Sequence, residues 1–464
     1  MKLSQKGDEA MIQDLTVGEP RKLLWRFALP LFFSAIFQQM YNLADSVIVG
    51  NFSACGEEAL AAVGASYPIV SIFTSIALGC SGGCTVIISQ LFGAKKNREM
   101  KTAVSTSLLS AALLSLLLAL GGNLLAPAIL SAIRTPANIF PDAVTYLRIY
   151  TAGFPFLLLY NVATAIFTSL GDSKTPLYFL TGSSLGNILL DYIFVAQFHW
   201  DVAGVAWATF LCQGAACVLA CVTLRSRLRA VPCDGAPALF SLPLLGQISR
   251  IAIPNILEYS FVSVGNAVLQ RLINGYGSAV IAGFSAAIKL NGFAVTCYLT
   301  VSNALASFTA QNVGAGQYGR IRQGFRSGVV MVWMMVACFF LLYFFRGEML
   351  IGLFLKEDSP QALAAGMEFL RIVAPFYFLL CIKNILDGLL RGAGAMGWFL
   401  ITTTVDLVLR VIFGYALSPI FGRTGLWCAW PIGWVVGGCL ALFAYLRGYW
   451  IPKEVRRAEA VKNF

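Results

Sequence analysis

Two acidic residues, Asp45 and Asp191, lie inside long apolar stretches of the sequence. No Lys or Arg lies within reach along the same stretch to pair with either one. An ionised carboxylate in lipid costs a few kcal/mol, so each residue must be protonated, hold a cation or face water. Asp45 and Asp191 are therefore the first candidates for chemistry.

Polar residues accompany both carboxylates at helical spacing. Residues three or four apart share one face of a helix, and four such stripes are present: Gln38, Tyr41, Asn42 and Asp45; Asn161, Thr164 and Thr168; Ser183, Asn187 and Asp191; and Thr209 and Gln213. Hydrogen bonding between helices is the alternative role for such hydroxyls and amides. We prefer that alternative for Ser183, Thr164 and Gln213.

The second half of the chain carries charges of both signs inside its apolar stretches. Lys383 and Asp387 are four residues apart, as are Asp406 and Arg410, so each pair can neutralise itself along one helix. Glu258 and Lys289 have no local partner, and we expect that they could meet within this half. The polar residues that could line a substrate cavity are Gln38, Tyr41, Asn42, Glu258, Lys289, Lys383 and Asp387.

The composition requires these residues to be held by membrane helices. Of 464 residues, 58% are hydrophobic and 12% charged, whereas a soluble protein is roughly 25% charged. The apolar stretches are continuous rather than alternating, which predicts helices and not a β-barrel. The basic residues are spread over short loops, so the net charge of +11 does not indicate nucleic acid binding.

Twelve membrane helices are predicted, all α, with no soluble domain. Basic residues divide 23 to 7 between the two sides of the membrane, which places both termini in the cytoplasm of a multi-pass cell membrane protein. The predicted spans are 24–50, 59–84, 102–126, 143–168, 175–197, 203–224, 247–272, 280–308, 325–345, 363–389, 397–419 and 425–447.

The two halves of the chain are related by an internal repeat. Ala28-Leu-Pro matches Ala252-Ile-Pro, and Gln90-Leu-Phe-Gly-Ala matches Gln311-Asn-Val-Gly-Ala; two further matches keep the same offset, between 220 and 224 residues. Six helices per half give both copies one orientation, a parallel repeat. We expect a cytoplasmic segment 1–23, an amino-terminal lobe 24–224, a linker 225–246, a carboxyl-terminal lobe 247–447 and a cytoplasmic tail 448–464. Two such lobes are typical of a rocking transporter.

Five motifs make the whole chain resemble the multidrug and toxic compound extrusion (MATE) transporters. They are Leu29-Pro30 with Asp45 in Asp-Ser-Val-Ile-Val-Gly; Ser89-Gln-Leu-Phe-Gly-Ala-Lys-Lys96; Gly171-Asp-Ser-Lys-Thr-Pro176; Asn187-Ile-Leu-Leu-Asp191; and Leu390-Arg-Gly-Ala-Gly394. One departure is that no acidic residue follows Arg391 at the position equivalent to Asp172. Glu258 lies about one turn from the acidic residue that some members carry in helix 7.

The resemblance implies an antiporter that exports amphipathic, often cationic compounds in exchange for Na+ or H+. It implies that helix 1 can bend at Pro30. It also implies a cation site, with Na+ as one possible occupant, formed by Asp45, Asn187, Asp191 and Thr209, with Asn161 nearby. Neither an enzyme active site nor a cofactor other than the coupling ion is expected; the expected partners are a small-molecule substrate and the bilayer, with the chain as a monomer.

Two other functions stay open from the sequence. A flippase of lipid-linked saccharides or other amphiphiles belongs to the same superfamily, and Lys289, Lys383 and Arg410 would suit its anionic cargo. A receptor or scaffold without transport is the alternative from a different class. The duplicated halves and the two intramembrane carboxylates argue against this last function.

Overall fold

The computed structural model describes residues 12–52, 56–198, 200–355, 359–452 and 455–456 of the chain. For residues 41–52, 56–60 and 201 it describes the backbone alone. The described residues form long helices and include no strand. This confirms the all-α membrane fold, since helices satisfy their backbone hydrogen bonds internally.

The first half of the chain forms six helices, α1–α6, that match the first six predicted spans. Their bounds are Pro20–Phe52, Gly56–Gly93, Asn97–Ala132, Phe140–Ser169, Lys174–Asp191 and Asp201–Ala230. A π-helix over Tyr192–Gln197 continues α5 at its carboxyl end. The observed helices extend beyond the predicted spans because hydropathy marks only the part of a helix inside the hydrocarbon core.

The second half forms five long helices, α7–α11: Leu242–Asn274, Ser278–Gly314, Tyr318–Gly352, Pro360–Gly392 and Met396–Leu446. A short 3-10 turn over Ala374–Phe376 interrupts α10. Within α11, Gly422 has a positive φ of 62° and lies between the last two predicted spans. Among the described helices, all except α7 are long and apolar enough to cross a membrane; the count of twelve crossings stays a prediction.

The described chain divides into two compact units. Among the described residues, one unit comprises 12–14 and 29–256, and the other comprises 15–28 together with 257 onward. One division thus precedes α1, and two fall inside α1 and α7, close to Pro30 and Pro254. The lobe bounds expected from the sequence, with a linker at 225–246, stay a prediction. Hydrogen bonds account for the unit to which the linker and the segment before α1 belong.

The linker belongs to the first unit because its backbone is bonded to α3. The backbone N–H groups of Ala238 and Ser241 donate to the hydroxyls of Thr102 and Thr106, at 3.1 and 3.0 Å. The segment before α1 is bonded to the second unit in a similar way. There, the N–H of Leu15 donates to Gln311 Oε1 at 2.9 Å, and Arg320 donates to the carbonyl of Gly18 at 2.7 Å.

Glycines allow α8 and α10 to pack backbone against backbone in the second unit. A Cβ atom on Gly388 would lie 2.5 Å from the carbonyl oxygen of Ser302, and one on Gly392 would lie 2.3 Å from that of Ala306. Small residues at four-residue spacing are the usual means of close approach between membrane helices. This packing fixes the position of the charged residues that α10 carries.

Candidate functional site

The end of α5 carries the first candidate site. Asn187 and Asp191 lie one turn apart on this helix and are buried, with exposed fractions of 2% and 0%. Neither the oxygen nor the nitrogen of the Asn187 side-chain amide has a hydrogen-bond partner among the described residues. A buried amide without a partner costs about 1–3 kcal/mol. The Asn187 amide is therefore a candidate ligand for a bound ion.

A change of helix geometry begins directly after Asp191. The chain passes from the α-helix into the π-helix Tyr192–Gln197, where the N–H of Phe198 donates to the carbonyl of Ile193 at 3.0 Å. Single turns of π-helix are frequent at functional sites because they displace the side chains next to them. No pattern of residue spacing predicts this turn.

The other residues of the expected cation site have different surroundings. Asp191 lies within electrostatic range of Cys212 on α6, and Thr209 is one turn before Cys212 on the same helix. Thr209 lines a small cleft with Gln213 of α6 and Tyr146 and Tyr150 of α4. No hydrogen bond joins Thr209 to Asn187 among the described residues.

Asn161 is bonded within its own helix, because its side-chain nitrogen donates to the carbonyl of Leu157 at 2.8 Å. The backbone of α1 includes Tyr41, Asn42 and Asp45, whose side chains lie outside the described part of the structure. Gln38 is described and exposed. The structure therefore places Asn187 and Asp191 one turn apart on α5 and does not join Asn161 to them. The place of Thr209 in the same site stays a prediction.

The Gly171–Pro176 motif has a structural role in the same unit. Asp172 accepts the backbone N–H groups of Lys174 and Thr175, at 3.1 and 3.0 Å, which are among the unbonded donors at the start of α5. Its other oxygen accepts the Thr175 hydroxyl at 2.6 Å and lies 3.7 Å from Arg227 Nε of α6. Asp172 thus fixes the helix that carries Asn187 and Asp191.

The second unit holds a buried network of charges. Lys383 donates to Asp387 at 2.8 Å and lies 3.4 Å from Asp406 Oδ2, while Arg410 donates to Asp406 Oδ1 at 3.0 Å. The two predicted pairs are confirmed, and Lys383 joins them into one network between α10 and α11. Lys383 and Asp387 are only 4% and 5% exposed. Charges this deeply buried need partners, and the network supplies them.

Three further residues contact the network. Thr402 donates its hydroxyl to Asp387 Oδ1 at 2.7 Å. The guanidinium of Arg410 lies 5.8 and 6.0 Å from the ring centroids of Trp430 and Trp434, within the range of a cation–π interaction. Sequence spacing does not predict these contacts, because they join different helical segments and spacing carries no signal of how those segments are rotated relative to each other.

Glu258 and Lys289 do not form an ion pair with each other in the described part of the chain. Lys289 is exposed, and its ammonium lies 5.5 Å from the ring centroid of Phe354. Glu258 is half-buried, within electrostatic range of Arg391, Asp387 and Lys383, and its Oε2 atom has no hydrogen-bond partner among described residues. Glu258 therefore adjoins the charge network.

Asn255 is a second buried amide that the sequence analysis missed. It follows Pro254 in α7, is 0% exposed, and neither of its amide atoms has a hydrogen-bond partner among the described residues. A Cβ atom on Gly82 of α2 would lie 2.7 Å from Asn255 Nδ2. Its position next to the proline of the internal repeat was the signal that could have identified it.

Comparisons with known proteins find relatives over most of the chain. The MatE family model matches residues 30–193 and 254–416, one segment in each half of the chain. Probable multidrug resistance protein YpnP of Bacillus subtilis (strain 168) is 29% identical over 444 residues, which cover 94% of this chain and 97% of that protein. A FAD transporter of Shewanella oneidensis is 24% identical, over 89% of this chain and 91% of its own length.

The fold has close counterparts among solved structures. The outward-facing structure of a multidrug resistance MATE family transporter of the MOP superfamily superimposes with a TM-score of 0.86. The match covers 94% of this chain and 97% of that chain at 23% sequence identity. At this identity the likeness concerns the fold, which has two lobes.

Proposed function

This chain belongs to the MATE family of multidrug efflux transporters, and from that premise we propose that it is a secondary active antiporter. It exports amphipathic, cationic small organic compounds in exchange for H+ or Na+. The observation that carries the proposal is the buried pair of Asn187 and Asp191 at the end of α5.

The donor set at this pair fits a small hard cation. Carboxylate and amide oxygens are the ligands that such cations prefer, and both are present within one turn of helix. Asp191 can alternatively take up a proton. With Asp45 and Thr209, which the family resemblance adds, the site would supply further oxygens to a bound Na+.

Coupling requires that the ion and the exported compound favour different conformations of the protein. A ligand shifts a conformational equilibrium only through its differential affinity for the two states. An ion bound at Asp191 removes negative charge from the interior, and its release restores a charge that attracts a cationic substrate. The effect of each ligand on the other is reciprocal, which is sufficient for antiport.

Site variants test the proposal in proteoliposomes loaded with a fluorescent cation. We expect Asp45→Asn to abolish gradient-driven efflux, Asp191→Asn to impair it strongly and Thr209→Ala to impair it mildly. Asp142→Asn, at an exposed position in the first turn of α4, is the matched control and should transport normally. Normal ion-driven efflux by well-inserted Asp45→Asn protein would overturn the mechanism.

The coupling ion is tested by imposing one gradient at a time. Efflux driven by an inward Na+ gradient at equal pH on both sides supports Na+, and efflux driven by a pH gradient without Na+ supports H+. Efflux that responds to neither gradient in the native protein would reject secondary antiport.

The structure favours the antiporter over the flippase. Among the three intramembrane basic residues, Lys383 and Arg410 are committed to ion pairs with Asp387 and Asp406, and Lys289 alone is exposed. Two of the three charges that would suit an anionic cargo are thus already neutralised.

One relative is named as a FAD transporter, so the efflux assay includes an anionic fluorescent amphiphile at the same concentration. Export of that anionic probe alone would favour the flippase.

A further inference from the structure

A groove on the first unit has the chemistry of a phospholipid site, apart from the transport machinery described above. It lies between α3, α6 and the linker and has a volume of about 610 Å³. Three basic residues, Lys101, Arg225 and Arg229, line it, and among its described lining residues none is acidic. We call it the basic groove and propose that it binds the headgroup of an anionic phospholipid.

The basic groove combines its charges with an apolar floor. Leu108 of α3 and Leu224 and Leu228 of α6 form this floor. An inorganic phosphate would need the charges but not the leucines, whereas a lipid uses both. A basic pocket between helices at a membrane interface is a recognised form of site for anionic headgroups.

The groove continues toward the surface that lipid tails cover. Arg225, Cys221 and Val218 follow one another at helical spacing along α6, and Val218 and Val222 are 57% and 64% exposed. Leu109 of α3, next to Leu108 of the floor, is 44% exposed. Exposed aliphatic residues on membrane helices face lipid, so an acyl chain can follow this path from the headgroup.

The linker is a fixed wall of the basic groove. Lys101 Nζ donates to the carbonyl of Val231 at 2.7 Å, Ser105 Oγ donates to that of Ala238 at 3.2 Å, and Ala238 N–H donates to Thr102 at 3.1 Å. These bonds hold the wall in place without a ligand. A preformed site binds with less ordering cost than one that must fold around its ligand.

A neighbouring pocket also has basic residues but differs from the basic groove in its balance of charge. It lies on the other side of the same linker and is lined by Lys95, Lys96 and Arg98, but also by Glu99 and Asp234. Lys96 lies 3.5 Å from Glu99. Acidic residues thus partly neutralise this pocket, whereas the described lining of the basic groove includes no acidic residue.

The charge test is retention of phosphatidylglycerol by purified full-length protein, followed by native mass spectrometry, with phosphatidylcholine as the neutral lipid. We expect Arg225→Gln/Arg229→Gln to weaken phosphatidylglycerol binding roughly tenfold or more, since each basic residue near a headgroup contributes about a factor of five. Arg322→Gln/Arg326→Gln is the matched control, because these two arginines are also exposed and four apart. Equal loss in both double variants, or equal retention of phosphatidylcholine, would overturn the proposal.

The floor is tested separately from the charge. Leu108→Trp fills the groove and should lower phosphatidylglycerol retention. Leu113→Trp should not, because the Leu113 side chain of α3 is 62% exposed and does not line the groove. Inorganic phosphate at millimolar concentration should give less protection against heat than the lipid. Equal protection by phosphate would reject the phospholipid. None of these measurements uses transport, so they stand whatever the outcome of the antiport assays.

Discussion

Asn187 and Asn161 carry the same amide group in the same unit but in different surroundings. Asn161 donates to the carbonyl of Leu157 in its own helix, whereas the Asn187 amide has no hydrogen-bond partner among the described residues. We therefore expect Asn187→Ala to lower ion-driven efflux roughly tenfold, by removing a ligand oxygen, and Asn161→Ala to lower it less than twofold. Efflux by the two variants at equal expression measures the difference.

The same two variants separate a ligand role from a structural one. Removing an amide that has no partner should leave the thermal stability of Asn187→Ala unchanged or slightly raised. If Asn187→Ala instead unfolded at a clearly lower temperature and lost efflux in proportion, the amide would have a structural role.

Lys383 and Asp387 allow a prediction about buried charge. Lys383, Arg410, Asp387 and Asp406 balance one another, so replacing Lys383 or Asp387 alone leaves one uncompensated charge in the buried network. Breaking a buried pair in this way costs about 3–5 kcal/mol. Lys383→Leu/Asp387→Gln should cost less than either single change, because Asp406 keeps its bond to Arg410. Thermal unfolding and efflux of the three variants provide the measurement. Equal transport loss in all three, with stability retained, would favour direct contact with substrate.

The sequence predicted the parts of each site that lie on one helix. Helical spacing was sufficient to pair Lys383 with Asp387 and to place Asn187 on one face with Asp191. It could not predict the contact of Lys383 with Asp406, because a contact between helices depends on their rotation and axial position. For the same reason it could offer a meeting of Glu258 with Lys289 only as an option, and the structure does not bring the two together.

At the scale of the elements, close packing inside α11 protects the charge network. A Cβ atom on Gly433 would lie 2.5 Å from Asp406 Oδ1 and 2.6 Å from the carbonyl oxygen of Asp406, whereas one on Gly438 would lie 3.7 Å from Lys383. We expect Gly433→Ala to destabilise the protein by about 1–3 kcal/mol through overpacking. Gly438→Ala should be neutral or stabilising, since Ala favours a helix over Gly by up to about 1 kcal/mol.

Thermal unfolding of the two glycine variants in one detergent checks this difference. If both variants unfold at the same temperature as the native protein, the overpacking expected between Gly433 and Asp406 would be contradicted.

Helix existence could be predicted well and helix detail could not. Each long helix was predicted from an apolar stretch of sufficient length, because crossing the bilayer requires about 20 apolar residues. The π-helix after Asp191 has no such marker, since it differs from an α-helix only in the register of its hydrogen bonds. The separation of the last two spans was predicted, and its cause is the single residue Gly422.

At the scale of the whole molecule, the internal repeat explains where the two units begin. Pro30 in α1 and Pro254 in α7 are equivalent in the repeat, and each lies within a few residues of a division between the units. Proline removes a helix hydrogen bond and so weakens the helix at that point. The two divisions that fall inside helices thus lie where a proline weakens the helix.

The orientation of the molecule in the membrane is the last prediction, and it depends on the 23 to 7 division of basic residues. Single cysteines at Lys95, Lys174 and Arg322, on a background without the native cysteines, should react only with a reagent that reaches the cytoplasm. Cysteines at Arg134 and Arg346 are the matched controls. All five positions are exposed in the structure, so lack of reaction reports the side of the membrane and not burial. The controls should react with an impermeant maleimide added to intact cells. The opposite result at both sets of positions would show that the predicted orientation is inverted. The basic groove would then lie at the outer surface, where the charge of the available lipids determines whether a lipid binds in it.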